Sequence, residues 1–223
     1  MCKAVADGSD MSSTNQYKEY SWTSTDSGNG ESGEHLAAKL VAQVRKLEGV
    51  RRVCDLGCGN GYLAGRLAAC GFEVVGVDAS ASGVELAKSS HPGASFICAS
   101  VGSDLEALSS LGEFDLVISA DVIEHLYRPA DLLEAASRLL RSRGRVLVGT
   151  PYHGYWKNLA LSLAGRMDGH FTALWDGGHI KFFSVTSLTA LIEANGFCDV
   201  DFTFYGRIPY LWKNMICNAR KRD

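Results

Sequence analysis

Strands that alternate with helices predict an α/β chain, doubly wound around a mostly parallel sheet covered on both faces. Three observations carry that expectation. Continuous apolar runs such as residues 114–119 (FDLVIS) suit strands buried on both sides. Between such runs lie helical stretches that end at Gly71 or Gly196 or stop before Pro92. The 223 residues hold 24 glycines and only 4 prolines, with no repeat or low-complexity run to absorb the excess. The glycines are therefore assigned to specific turns.

The elements follow in order. Residues 1–30 are dominated by Ser, Thr, Asn, Asp and Gly, with isolated aromatics at Tyr17, Tyr20 and Trp22. Such a segment buries too little apolar surface to order itself and is expected to be flexible, its aromatics free to fold over a site on ligand binding. From Glu34 the pattern turns helical, with Leu36, Leu40, Val44 and Leu47 on one face and Gly49 as the cap. Residues 51–56 read as strand, 62–70 as helix, 72–77 as strand, 81–90 as helix and 94–98 as a short strand. Residues 114–119 are the buried strand noted above. Pro129 opens a helix running to about Arg141 and closed by Gly144, and 145–150 form a strand halted by Pro151. Between 152 and 183 the rhythm breaks into a mixture of aromatics, Gly and His. A helix at 186–195, a strand at 198–204 and a closing strand at 215–219 complete a single domain spanning 31–223.

Charge and thiols bound the function. A net charge of −3 supplies no field for polyanions, so no nucleic-acid partner is expected. Seven cysteines include no C-x-x-C pair, and several lie in apolar stretches, as at Cys54 and Cys98. Buried reduced thiols explain them better than a disulfide frame or a zinc site, and with no signal pattern at the N-terminus the chain reads as cytoplasmic. Cys54 and Cys58 are packing residues in this reading. The basic end Arg220-Lys221-Arg222 reads as a solvated face.

The strongest local signal is the run from Val53 to Tyr62, VCDLGCGNGY, placed between a strand and a helix. A pyrophosphate ligand is disfavoured, because Asp55 would set a carboxylate beside it and the third glycine is Gly61. An acid at the end of the first strand suits a cationic ligand without phosphate. S-adenosylmethionine, with its ammonium and sulfonium, meets that description. Asp78 ends the second strand nineteen residues after Gly59, where a carboxylate can accept both hydroxyls of a ribose.

These residues are similar to known ones. Val53 to Ala68 resembles motif I of the class I S-adenosylmethionine-dependent methyltransferases, and residues 76–80 (GVDAS) resemble their motif II. Residues 114–126 (FDLVISADVIEHL) resemble the motif IV region of the ubiquinone-biosynthesis O-methyltransferase branch. The resemblance implies a Rossmann-like seven-stranded sheet whose last strand is antiparallel, with S-adenosyl-L-methionine bound over the strand ends and S-adenosyl-L-homocysteine as product. It implies a cofactor site of Asp55, Gly57, Cys58, Gly59, Asn60, Gly61, Asp78, Ala79, Ser100, Val101 and Ala120. Relatives often carry an acid after the third strand for the adenine amine; this chain has Ser100 there, so Ser100 or a backbone carbonyl takes that role.

Methyl transfer is an in-line displacement, and a base helps when the acceptor must lose a proton. The Asn/Asp-Pro-Pro-Tyr motif of amino-group methylases is absent, and the resemblance to the O-methyltransferase branch implies O-methylation of a small-molecule hydroxyl (glycan, quinone or natural product). His125, beside Glu124, and His179, after Gly177 and Gly178, are the two candidate catalytic residues; each could instead merely orient its turn. His153 and His170 are weaker candidates. Scattered His153, His170, Asp176 and His179 lack ligand spacing, so no metal is expected. The stretch 152–183 is expected to be a substrate-side insertion whose helix at 155–165 forms a lid. An ordinary helix over the sheet and a weakly supported membrane contact are the alternatives to that lid. A non-catalytic binding module and an RNA methyltransferase remain alternatives for the whole chain, and sequence leaves the oligomeric state open.

Overall fold

A computed structural model describes residues 22–26, 31–171, 173–175 and 177–223, the side chains of residues 31 and 32 excepted. In chain order the elements are α1 (Glu31–Val44), β1 (Arg52–Leu56), α2 (Tyr62–Ala69), β2 (Glu73–Asp78), α3 (Ala81–Ser90), β3 (Ser95–Cys98), α4 (Leu105–Ser109) and β4 (Phe114–Ala120). A single 3-10 turn (Ile123–His125) leads to α5 (Ala130–Leu139), β5 (Leu140–Pro151), α6 (Tyr155–Leu163), α7 (Met167–Phe171), α8 (Val185–Ala194), β6 (Phe197–Tyr205) and β7 (Asn214–Lys221). The strands form one sheet in the order β3-β2-β1-β4-β5-β7-β6. The first five pair in parallel, while β7 runs antiparallel to both β5 and β6.

Alternation along each strand sends side chains to two cores. Cys54 and Leu56 of β1 pack with Leu132, Leu133 and Leu139 of α5 on one face, together with Leu188 of α8. Val53, Leu116 and Leu147 join Leu36 and Leu40 of α1, Leu63 of α2 and Val84 of α3 on the other. Both faces are covered, which is why the central strands are apolar throughout.

Four local expectations change. Gly144 does not cap a helix: α5 ends at Leu139, and Leu140, 1% exposed, pairs directly with Phe114 as the first residue of β5. Burying Leu140 in the sheet wins over a glycine stop, and the register shift that follows is taken up with Arg143 at φ +61°. α1 ends at Val44, so Leu47 lies beyond it, and Gly49, at φ +74°, turns the chain towards β1. The short α4 sits where sequence marked no element, between β3 and β4. Finally, the buried residue of α6 is Lys157, while Tyr155, Trp156 and Leu163 are exposed. That helix does not cover the sheet with an apolar face.

Candidate active site

The carboxyl ends of β1, β2, β3 and β4 meet along one edge of the sheet, where ligands bind in doubly wound folds. Between β1 and α2 the chain must turn sharply, and Gly57, Gly59 and Gly61 take φ of +81°, +53° and +79°. The amides of Gly57 and Cys58 donate to the carbonyl of Val77 at 2.8 and 3.0 Å, tying the loop to β2. A Cβ on Gly57 would overlap the side chain of Val122, and one on Gly61 would lie 2.8 Å from both Ala87 and Phe96. The loop is therefore fixed by its glycines.

Two carboxylates stand behind it. Asp78 Oδ2 accepts from the Gly59 amide and Oδ1 from the Ser80 amide, each at 2.8 Å. Asp78 thus splints the loop to the start of α3. Asp55 is 1% exposed, and its Oδ2 has no hydrogen-bond partner among the described residues. Burial, and after it the charge of Asp78, pushes the Asp55 carboxyl up to about 7. A buried acid held in this state is completed by a cation.

In front of these groups lies a cavity of about 410 Å³. Asp55, Gly57, Cys58, Gly59, Asn60, Asp78, Ala79, Ser100, Val101 and Ala120 line it, whereas Gly61 does not and acts one step back as the N-cap of α2. At the far end the Ser100 amide donates to Asp104 Oδ2 at 2.8 Å, so that acid is already engaged with the backbone after β3. Ser100 Oγ accepts from the Gly102 amide at 3.4 Å. Sequence reasoning did not single out Leu36 or Trp175 as lining residues, because neither belongs to a local motif. Tyr17 and Tyr20 lie outside the described residues. Trp22 is described, and its ring covers Gly59, while Asn60 Nδ2 donates to the carbonyls of Ser24 (2.7 Å) and Asp26 (2.6 Å).

The opposite wall comes from the turn after β4. His125 lines the cavity, with Nδ1 3.0 Å from the Gly177 carbonyl and 3.2 Å from that of Gly178. Carbonyls only accept, so Nδ1 carries the hydrogen and Nε2 of the neutral ring keeps its lone pair. The glycine pair thus grips His125 through its carbonyls. His179 does not line the cavity; its ring lies edge-on to His125 with centroids 4.9 Å apart. Burial lowers the His125 pKa below 6.5, and burial with the neighbouring His125 pushes His179 down to about 4.

Glu124, 1% exposed, is the site residue that sequence reasoning passed over, although its Glu-His pairing with His125 was the available signal. Its Oε2 accepts from Thr150 Oγ1 at 3.0 Å, and its carbonyl accepts from the amides of Ile180 and Lys181, both at 2.9 Å. Oε1 sits 3.9 Å from His179 Nε2. Burial, reinforced by Asp121, holds the Glu124 carboxyl well above the usual carboxylate range. Glu124, His125 and His179 bring one donor atom each to within 4.8 Å of one another. Of the scattered set weighed for a metal, Asp176 lies outside the described residues. His153 and His170 pack against each other with tilted rings, their centroids 5.2 Å apart.

A doubly wound sheet in this strand order, with glycine-turned backbone and paired acids at its switch point, defines a fold that binds a nucleoside-bearing cofactor. The chain belongs to the methyltransferase-domain family, whose model matches residues 30–201. Among curated relatives, the ubiquinone biosynthesis O-methyltransferase of Ruegeria sp. (strain TM1040) is 32% identical over 168 residues, 73% of this chain and 66% of that protein. The protein of the same name from Bradyrhizobium diazoefficiens is 33% identical over 133 residues, 57% of this chain and 51% of that one. The chain thus spans no more than about two thirds of the length of these relatives. Among solved structures, a SAM-dependent methyltransferase from Archaeoglobus fulgidus superposes with a TM-score of 0.63 at 19% identity, covering 84% of this chain and 94% of that one. Magnesium protoporphyrin IX methyltransferase from Synechocystis, with bound SAH, gives 0.56 at 24% identity, covering 84% and 80%. The cofactor of such domains is S-adenosylmethionine, and buried Asp55 beside the glycine loop, its Oδ2 without a hydrogen-bond partner among the described residues, fits its cationic end.

Proposed function

We propose that the protein transfers a methyl group from S-adenosylmethionine to a hydroxyl oxygen of a small-molecule acceptor. The observation that carries this reading is His125, which lines the same cavity as Asp55, with Nδ1 tied to two carbonyls and Nε2 left as a proton acceptor. Asp55 and the glycine loop hold the methionine part, Asp78 the ribose, and Ser100 and Val101 the adenine side. When bound, the cofactor supplies an activated methyl on sulfur. His125 Nε2 takes the proton that the acceptor hydroxyl gives up as its oxygen bonds to the methyl carbon and the carbon–sulfur bond breaks. His179, packed edge-on, keeps the His125 ring in place. The relatives named as O-methyltransferases support this chemistry.

The convergence of Glu124, His125 and His179 favours one second reading, in which a divalent cation binds the acceptor oxygen. Glu124→Gln separates the two. Glutamine keeps the oxygen that accepts from Thr150 and costs little if His125 is the base, whereas a cation site loses a ligand and turnover becomes sensitive to chelators. The residues from 152 to 183 act as a lid on the acceptor side, since Trp175 and Gly177 reach the cavity. Exposed Leu163 and Leu174 leave a membrane contact as the competing role. Among the described residues no helix is long and apolar enough to cross a membrane, and we read the compartment as cytoplasmic. The test is labelled methyl transfer into a metabolite extract by the intact chain and by His125→Gln. Label incorporated equally by both overturns the base assignment.

A further inference from the structure

On the acceptor side the chain gathers several cationic groups. Arg52, Arg128, Arg141 and Arg220 each meet a carboxylate elsewhere on the molecule. Arg166 in the α6–α7 connection, His170 on α7 and Arg207 in the β6–β7 connection line a solvent-open hollow of about 640 Å³. Behind it, Lys157 is 2% exposed, and its Nζ donates to the carbonyls of Tyr152 (2.6 Å) and Lys213 (3.5 Å). Among the described residues, Lys157, Arg166, Arg207 and Lys213 have no ion pair, and Asp168, the carboxylate on α7, engages none of them.

The groups repel one another. Burial, and then Arg207 and Lys213, bring Lys157 down to about 8, and His170 is lowered by burial, Lys157 and Arg207. His170 Nε2 is buried with no hydrogen-bond partner. A chain with a net charge of −3 that concentrates unpaired cations around a hollow has built a place for an anion. The hollow also adjoins the active site. His170 packs on His153 (5.2 Å), and His153 on Phe182 (5.0 Å), three residues beyond His179.

We infer that the hollow lined by Arg166, His170 and Arg207 is an oxyanion subsite, which holds a carboxylate or phosphate carried by the methyl acceptor. Guanidinium forks match the planar or tetrahedral oxygens of these groups, and His170 Nε2 donates a further hydrogen bond. Lys157 supplies fixed positive charge from behind. The inference rests on reading the His125–His179 wall as the acceptor side, and it narrows the acceptor to a hydroxylated molecule with an anionic group at its other end. That group belongs either to a free small molecule or to a lipid headgroup.

The test reads binding, so it does not depend on turnover. Benzoate and inorganic phosphate are titrated at constant ionic strength by calorimetry, with the His170 ring signals followed by NMR and benzamide as the neutral control. Saturable binding of the anions and none of benzamide is expected, weakened at least tenfold in Arg166→Gln/Arg207→Gln with affinity for S-adenosylhomocysteine unchanged. In parallel, cosedimentation is measured with phosphatidylcholine vesicles, with and without phosphatidylglycerol. Loss of phosphatidylglycerol-dependent binding in the double variant assigns the oxyanion to a headgroup. Loss of soluble-anion affinity alone assigns it to a free acceptor. If the double variant changes neither, the subsite does not exist. Failure of methyl transfer with intact anion binding would instead break the functional reading.

Discussion

Between Leu56 and Tyr62 the backbone itself lines the cavity, whereas the stretch between Pro151 and Phe183, which we propose forms the acceptor side, presents side chains carried by short helices. On the cofactor side three glycines at positive φ press amides against β2, and the carboxylates of Asp55 and Asp78 stand at strand ends in the middle of the sheet. On the acceptor side α6 and α7 span nine and five residues, and Tyr155, Trp156, Leu163 and Leu174 face solvent. One wall is acidic and locked, and the other is basic, aromatic and open. A constant ligand can be met by rigid backbone, while a particular acceptor is selected by side chains that vary without disturbing the sheet.

The contrast can be broken most sharply at its meeting point. His125→Gln is expected to lower turnover by roughly 10²- to 10⁴-fold while S-adenosylhomocysteine affinity stays within about twofold, checked by initial rates and calorimetry. A parallel loss of cofactor affinity would mean the walls are not separable.

Next in size is a pair of glycine substitutions. Gly61→Ala forces a side chain into φ +79° with its Cβ 2.8 Å from Ala87 and Phe96. A loss of roughly 2–5 kcal/mol of stability in denaturant melts is expected. Gly177→Ala has nearly the same φ, +78°, but its Cβ meets nothing within 4 Å. Its loss should stay at roughly 1–2 kcal/mol. Equal losses would show that the acceptor turn is as tightly packed as the cofactor loop.

Asp55→Asn should weaken S-adenosylhomocysteine binding roughly ten- to hundredfold, because a hydrogen bond to a charged group contributes about 1.5–3 kcal/mol. The pH dependence has a definite sign. With Asp55 raised to about 7, the free protein binds a proton there below that pH. A cationic ligand favours the ionised form, so affinity rises from pH 6 to 8 by up to about tenfold per unit. Calorimetry across that range should show the slope in the natural protein and a flat line in Asp55→Asn.

The smallest effect is expected at Glu124→Gln. Glutamine keeps the shape of the side chain and an oxygen to accept from Thr150, so stability should change by about 1 kcal/mol or less and turnover little. A large loss of turnover, restored by added divalent cation, would move the acceptor wall from base catalysis to cation chemistry.

How far these walls were legible differed for the same reason. The cofactor loop is contiguous from Val53 to Tyr62, and its glycines, Asp55 and the acid nineteen residues on stand at readable spacings. Gly61 alone was placed one step too close, because its demand is for backbone conformation and for room against Phe96. On the acceptor side the useful contacts join residues far apart in the chain. His125 is held by Gly177 and Gly178, and Glu124 by Thr150 and the amides of Ile180 and Lys181. No local pattern announces such pairings. The helix expected at 155–165 as a lid had an ordinary covering helix as its alternative, and only the tertiary structure shows that Lys157 is what α6 buries.

The sequence by itself determined the alternation of strands and helices, the doubly wound sheet and the place of the glycine turn. Periodicity and backbone freedom are local properties, written where they act. Only the tertiary structure decided that α5 gives way to β5 at Leu140, ahead of Gly144, that Trp22 lies on Gly59, and that His125 takes its tautomer from a turn 52 residues away. Each of those depends on burial and on charge at a distance, and these arise only when the chain closes on itself.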